Sequence, residues 1–264
     1  MIHNTAIIEE GAKIGQNVHV GPFSWVGPDV EIGDDVSIDS HVVLKGHTKI
    51  GKGTRIFPHA CLGCDPQSLK YKGEPSRLII GENNTIREHV TMHPGTEDDN
   101  METIIGNNGL FMAGSHVAHD CVVGDSVIFA NNATLGGHVK VGDFAYLGGM
   151  SAIHPFVRIG HNAIVGGMSG VENDVIPYGS VFGDRASLEG LNIIGMRRRG
   201  YSREAIHGLR KAYRLLFAQE GTLAERLGDV EEVFDDNNVI SQIVEFMKVK
   251  SRRDLCLPRL SHGS

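Results

Sequence analysis

Aliphatic residues recur at every sixth position along most of this 264-residue chain, a period that neither a helix nor a simple strand alternation produces. The series begins Ile8, Ile14, Val20, Val26, Ile32, Ile38, Leu44, Ile50, Ile56 and Leu62. It resumes at Ile80, Ile86 and Met92, and again at Ile105, from where it runs unbroken to Val171. Of these 25 anchors, 14 are followed at once by Gly. A short strict repeat implies a solenoid, and period six implies a parallel β-helix. Three hexads would close one triangular coil, with a short strand on each face and the anchor pointing into the prism. Gly after the anchor would allow a tight or positive-φ backbone near each corner. Stacked at ~4.8 Å, roughly nine coils give a prism a little over 40 Å long.

Two breaks locate loops. Leu62 and Ile80 are 18 apart, but Ser68 and Glu74 fill the anchor positions between them, so residues 67–77 are expected to leave the prism. Met92 and Ile105 are 13 apart, out of register by one, so 93–103 must be an insertion. Long loops on a rigid solenoid usually serve binding or assembly. That reading is stronger for the first loop, which carries Gln67, Lys70 and Tyr71 close together, than for the second, which reads equally well as a tolerated excursion.

After Val171 the repeat fades. Pro177 takes the next anchor position, and a connector with Gly183, Gly190, Gly195 and Gly200 follows. The period then becomes helical. Ser202 is a candidate cap for a helix carrying Ile206, Leu209, Tyr213, Leu216 and Phe217 on one face. Thr222 and Glu225 have capping-box spacing. Ile240, Ile243, Val244 and Met247 mark a third segment. The expected organisation is a β-helix over 1–190, then a connector and small helical domain over 191–264.

Net charge is −7 and the pI about 6.0, so there is no basic footprint for nucleic acid. The opening MIHNTAIIEE lacks the basic and apolar regions of a signal peptide, and no apolar run is long enough to span a membrane. Cys61, Cys64, Cys121 and Cys256 do not form a disulfide framework, which makes a reducing cytoplasm the expected setting. Cys61 and Cys64 flank the anchor Leu62 without a second pair, and read as packed or surface thiols.

The chain has 14 His. His116, His119, His138 and His154 lie in the unbroken stretch, off the anchor positions. One coil beyond His119 is Gly137, beside His138; one coil further is Pro155, beside His154. These histidines therefore line one edge of adjacent coils. Three readings are open: a solvated or subunit-packed column, a metal site shared between subunits, or a general base working near neutral pH. Asp120 follows His119 directly and could orient its imidazole. The run GGH (136–138) suits a backbone N–H exposed to an oxyanion.

The segments LKYKGEP (69–75), SHVAHDC (115–121), FANNATLGGHVKVGDFAYLGGMSAIH (129–154), VGGMSGV (165–171) and LNIIGMRRRGYSREAI (191–206) together resemble the UDP-N-acetylglucosamine O-acyltransferases that begin lipid A synthesis. The resemblance covers essentially the whole chain. It implies a left-handed β-helix, a homotrimer with sites between adjacent prisms, and transfer of a 3-hydroxyacyl group from acyl carrier protein to the 3-hydroxyl of the UDP-sugar. No metal or cofactor is implied; the phosphopantetheine thioester of the carrier is a co-substrate. By position, His119 would be the base, Asp120 its orienter and the Gly137 N–H the oxyanion donor. His116, His138 and His154 would line the pocket. Gln67, Lys70, Asn192, Arg198 and Arg199 would contact the UDP-sugar, and Gly167 would limit acyl-chain length.

Three positions depart from the family pattern. Ser68 stands where an acidic residue often follows the loop Gln, Pro155 where Gln follows the third pocket His, and Ile194 where Glu follows Asn192 by two. They leave open a 3-amino UDP-sugar as acceptor, which would give an amide. The related UDP-glucosamine N-acyltransferase, whose uridine-binding domain precedes its β-helix, fits less well, because hexads here start at Ile8. A non-enzymatic trimeric scaffold would leave the His119, Asp120 and Gly137 combination unexplained.

Overall fold

A computed structural model describes residues 1–234 and 237–259. The hexads form three parallel sheets that are the faces of one prism. The first face carries anchors Ile8, Val26, Leu44, Leu62, Met92, Val117, Leu135, Ile153 and Val171. The second begins at Ile14 and ends at Ile159; the third begins at Val20. Most strands are only two residues long, and each pairs with the strand one coil away: His116 with Thr134, Val117 with Leu135. From Val18 onward nearly every anchor is fully buried, including the aromatic pair Phe111 and Phe129, whose rings lie 5.0 Å apart.

The glycines after the anchors act differently from the expectation. Gly63 apart, they do not carry the positive φ. That conformation falls two residues later, at non-glycine positions such as Asn17, His41, Asp120, Ser126, His138 and Phe156. The anchor-following Gly is required by close approach instead: a Cβ on Gly106 would lie 2.6 Å from the Gly124 carbonyl carbon in the next coil. Coil stacking, not turn conformation, selects glycine there.

Beyond Val171 the prism completes another turn that the sequence pattern hides. Val181 stacks on Val165 after 16 residues, not 18, and Tyr178 is buried beneath it. The connector is structured. Gly179–Phe182 pairs antiparallel with Ser187–Leu191, and α1 (Ile193–Arg198) starts at an Asn192 cap. Helices α2 (Arg203–Leu216), α3 (Leu223–Val233) and α4 (Asn238–Lys248) pack together through Leu209, Ala212, Leu216, Val230, Ile240 and Val244. Ser202 caps α2 and Thr222 with Glu225 closes the capping box of α3, as their spacing predicts. The Tyr178 hydroxyl donates to Gln242 Oε1 at 2.6 Å and joins this unit to the prism. Among the described residues, no helix is long and apolar enough to cross a membrane. The 191–264 unit extends past these residues, since 260–264 lie outside them.

The glycine result gives a test. Gly106→Ala should lower the thermal midpoint by the equivalent of about 1–3 kcal/mol, the usual cost of overpacking against rigid backbone. Ser126→Gly, at a φ of 55°, should be neutral or stabilising, because glycine adopts that conformation without a Cβ penalty. The reverse ranking in a melting assay would refute the assignment.

Candidate active site

His119 follows its anchor Val117 by two and turns outward at the corner between the first and second faces. Asp120, one residue on, adopts φ +59°, and this turns its carboxylate back under the ring. His119 Nδ1 donates to Asp120 Oδ2 at 2.7 Å, so the orientation is direct. The carboxylate side chain is only 1% exposed and must find its partners within the protein. Thr96 supplies two: its N–H donates to Oδ1 at 2.7 Å and its hydroxyl to Oδ2 at 2.6 Å. The Asp120 N–H donates to Thr103 Oγ1. Burial pushes the Asp120 carboxyl up. The bonds from His119 and Thr96, with His138 nearby, outweigh it and hold the group below its ordinary value. An ionised Asp120 accepts and cannot donate, so the His119 proton sits on Nδ1 and the Nε2 lone pair is free.

Gly137 lies one coil above, against that free edge. A Cβ there would meet His119 Cε1 at 2.6 Å and Nε2 at 2.7 Å. Only glycine lets the backbone come this close. No acceptor among the described residues takes the Gly137 N–H. His138 follows with its ring edge-on to His119 at 5.1 Å, and Asp99 accepts from its Nδ1 at 3.0 Å. Metal-donor atoms of His119, Asp120 and His138 lie within 4.8 Å of one another. Each Nδ1 nevertheless faces a carboxylate oxygen, and Thr96 holds both oxygens of Asp120. The geometry is that of a hydrogen-bonded network.

The second loop, which the sequence left open as a bland excursion, builds this network. It contributes Thr96, Asp99, Thr103 and the buried His93, none of them singled out from the sequence. His93 follows Met92 as His154 follows Ile153, and that register equivalence was a usable signal. Thr96 and Asp99 lie inside the insertion, where coil arithmetic fails. The first loop packs on the second: Lys70 pairs with Asp98 at 2.8 Å and Glu74 accepts from the Glu97 N–H. Gln67 is exposed at its start.

His116 Nδ1 bonds Thr91 Oγ1 at 2.7 Å, and its ring meets His93 at 4.9 Å. Burial, reinforced by the neighbouring histidines, pushes His93 down to about 4 and lowers His116 as well. His154 is exposed on the same corner and contacts Arg253.

The remaining expected residues lie elsewhere on the prism. Gly167 is exposed at the corner between the third and first faces. Asn192 sits at the corner between the second and third, where its side chain caps α1 and donates to Asn162 O. Arg199 stacks over Phe144 on that corner and donates to its carbonyl, while Arg198 at the end of α1 is exposed. One prism points these corners away from one another. Of the three departures, Pro155 packs on Gly136, Ser68 accepts from the Lys70 N–H, and Ile194 is 65% exposed.

With this geometry in place, the relatives decide the family. A model described as UDP-N-acetylglucosamine O-acyltransferase, domain 2, matches residues 174–256, and a bacterial transferase hexapeptide model matches 102–137. The acyl-[acyl-carrier-protein]–UDP-N-acetylglucosamine O-acyltransferase of Caulobacter vibrioides is 58% identical over 211 residues, 80% of each chain. The protein of that name from Methylobacterium radiotolerans is 64% identical over 205 residues, covering 78% of this chain and 75% of its own. The chain belongs to this O-acyltransferase family. The solved structure of LpxA from Acinetobacter baumannii superposes with a TM-score of 0.91 at 42% identity, covering 98% of this chain and 99% of the other. The left-handed parallel β-helix implied by the resemblance is the fold of these O-acyltransferases.

The buried histidine sets a pH dependence for stability. The folded chain resists protonating His93, whereas the unfolded chain accepts the proton near pH 6.5, so stability should fall as pH drops from about 6.5 towards about 4. Asp120, held low in the fold, adds its loss only below the ordinary carboxylate range. The thermal midpoint of His93→Gln should decline less steeply than that of the parent between those two pH values. Parallel declines would remove His93 from this account.

Proposed function

We propose that the chain transfers a 3-hydroxyacyl group from acyl carrier protein to the 3-hydroxyl of UDP-N-acetylglucosamine, the first step of lipid A synthesis. The observation that carries the chemistry is the free Nε2 of His119, fixed by Asp120 and pressed against the Gly137 backbone. A sugar hydroxyl is a weak nucleophile near neutral pH and needs a base as it attacks. His119 Nε2 takes the hydroxyl proton while the oxygen adds to the thioester carbonyl. The Gly137 N–H donates to the oxyanion. Collapse expels the phosphopantetheine thiolate, which recovers the proton from His119. Base and leaving-group acid are thus one residue, and the sequence needs neither a metal nor a further cofactor.

The site works between subunits of a homotrimer. The distribution of residues supports this: the histidine corner of one prism, facing the Gly167 and Asn192 corners of a neighbour, would complete the pocket. Holding both substrates in that cleft supplies the orientation that a bimolecular transfer otherwise lacks. The enzyme acts in the cytoplasm, where its thiols stay reduced. Carrier protein is acidic, and on this acidic chain it docks on a local basic surface. Arg197, Arg203 and Arg210 line one cavity with His207, and Arg214 is exposed one turn further along α2.

Mass spectrometry of products from candidate UDP-sugars and acyl carrier proteins tests the assignment. The expected product is a base-labile 3-O-ester of UDP-N-acetylglucosamine, and His119→Ala should reduce its formation about 10²-fold or more. An amide formed only from a 3-amino sugar, or a variant retaining a third of the activity, would overturn it.

The docking surface is tested separately. Reversing charge at Arg210 and Arg214 should raise KM for the acyl carrier substrate with little change for the UDP-sugar. The defect should shrink with salt, since exposed charges are screened over about 8–10 Å at physiological ionic strength. Equal effects on both substrates, or none, would reduce α2 to a packing element.

A further inference from the structure

The chain does not end at the helical unit. After α4 it returns to the prism as a strap whose backbone is pinned there at several points. Asp174 N–H donates to Asp254 O at 2.7 Å, Cys256 N–H to Asp174 O at 2.8 Å, and Leu188 N–H to Leu257 O at 3.0 Å. Just before these bonds, two consecutive arginines reach the histidine corner. Arg252 lies over the Phe156 ring at 4.5 Å, and that ring stacks on His138 at 4.4 Å. Arg253 is half-buried; its Nε donates to Pro155 O at 2.9 Å, and its Nη2 contacts His154 Nδ1.

A guanidinium only donates hydrogen bonds, and it is always charged. In this contact His154 Nδ1 is the acceptor, and the tautomer that provides that acceptor carries its proton on Nε2. Two coils below, the logic is inverted. The acceptor at His119 Nδ1 is a carboxylate, so its proton sits on Nδ1 and Nε2 is an acceptor. Two histidines on one corner are thus held in opposite tautomers by opposite charges.

We infer that Arg253 is a positioning residue that locks His154 in the Nε2–H tautomer and so makes it a hydrogen-bond donor to an acceptor oxygen of bound substrate. The kinetic part rests on the proposed reading of His154 as a pocket residue; the tautomer part does not. Pro155 fits this assignment. With no amide side chain at that position to hold the neighbouring imidazole, its carbonyl instead fixes the guanidinium that does so.

The test uses the full-length protein labelled with ¹⁵N-histidine, with the His154 signals assigned by comparison with His154→Asn. Long-range nitrogen–proton correlations should give the Nε2–H pattern for His154. In Arg253→Ala the pattern should change to a mixture of tautomers, and Arg253→Lys should restore part of it. The backbone bonds at Asp174 and Leu188 keep the strap docked in both variants, and an unchanged thermal midpoint verifies this. Kinetically, Arg253→Ala should lower kcat/KM by the reciprocal of the Nε2–H fraction that remains, about two- to fivefold for a mixture of tautomers. The same change in a His154→Ala background should have almost no further effect. A His154 tautomer unaltered by Arg253→Ala overturns the inference, as do equal kinetic losses in both backgrounds. A tautomer that shifts without kinetic loss leaves the lock standing and overturns the donor role, because it removes His154 from the substrate pocket.

Discussion

The spacing of His119, Gly137 and His138 is inherited from the hydrogen bonds that join each coil to the next. His138 N–H donates to His119 O at 3.0 Å, and Phe156 N–H donates to Gly137 O at 3.1 Å. These bonds stack His119, Gly137 and Pro155 at one backbone position on successive coils. The anchors beneath them are fully buried, so the corner stands on a packed interior. The proposed base and oxyanion donor, held this way, need no induced rearrangement to meet, which is the form of preorganisation that electrostatic catalysis requires.

On that frame the decisive charge is Asp120. An isolated carboxylate with 1% of its side chain exposed would protonate. Here Thr96 and His119 saturate its oxygens, and the ionised form persists. The loop bearing Thr96 is thus coupled to the His119 tautomer: remove its two bonds, and the Asp120 proton affinity rises along with the ambiguity of the His119 ring. Asp99 and Asp98 extend the coupling outward to His138 and Lys70.

The legible and illegible parts of this chain divide along one line. Wherever a coil holds 18 residues, position arithmetic places side chains correctly, as with His119 under Gly137, and helical spacing did the same for the caps at Ser202 and Thr222. Wherever the count changes, the arithmetic is silent. Thr96 and Asp99 sit in an insertion, and Val181 stacks on Val165 after 16 residues, so that Pro177 looked like the end of the repeat. The strap was illegible for a different reason. Residues 251–257 carry no period of their own, and they are ordered by bonds to a backbone nearly a hundred positions earlier, as at Arg253 and Pro155. Long-range pairing of that kind leaves no local signature. The anchor glycines were noticed at the right positions, but positive φ explains only Gly63 and close approach the others, since the repeat cannot distinguish a conformational demand from a steric one.

The left-handed corner residues have a consequence for how such a chain can change. Asn, Asp, His, Phe, Met, Ser and Tyr all occupy this one backbone state along the prism. The backbone state is the same for all of them, although Asn and Asp adopt it at least cost, so exchanging one for another alters the chemistry displayed without changing the path of the chain. An edge of the prism is therefore a rack of fixed pitch, with slots ~4.8 Å apart. On the edge occupied by Phe23, His41, His59 and His89, ring follows ring at 5.0–5.2 Å. On the edge occupied by Asp120, His138 and Phe156, the same slots hold an acid, an imidazole and a phenyl ring. Reactivity in this architecture is a matter of which slots are filled, and a new function requires new occupants but no new frame.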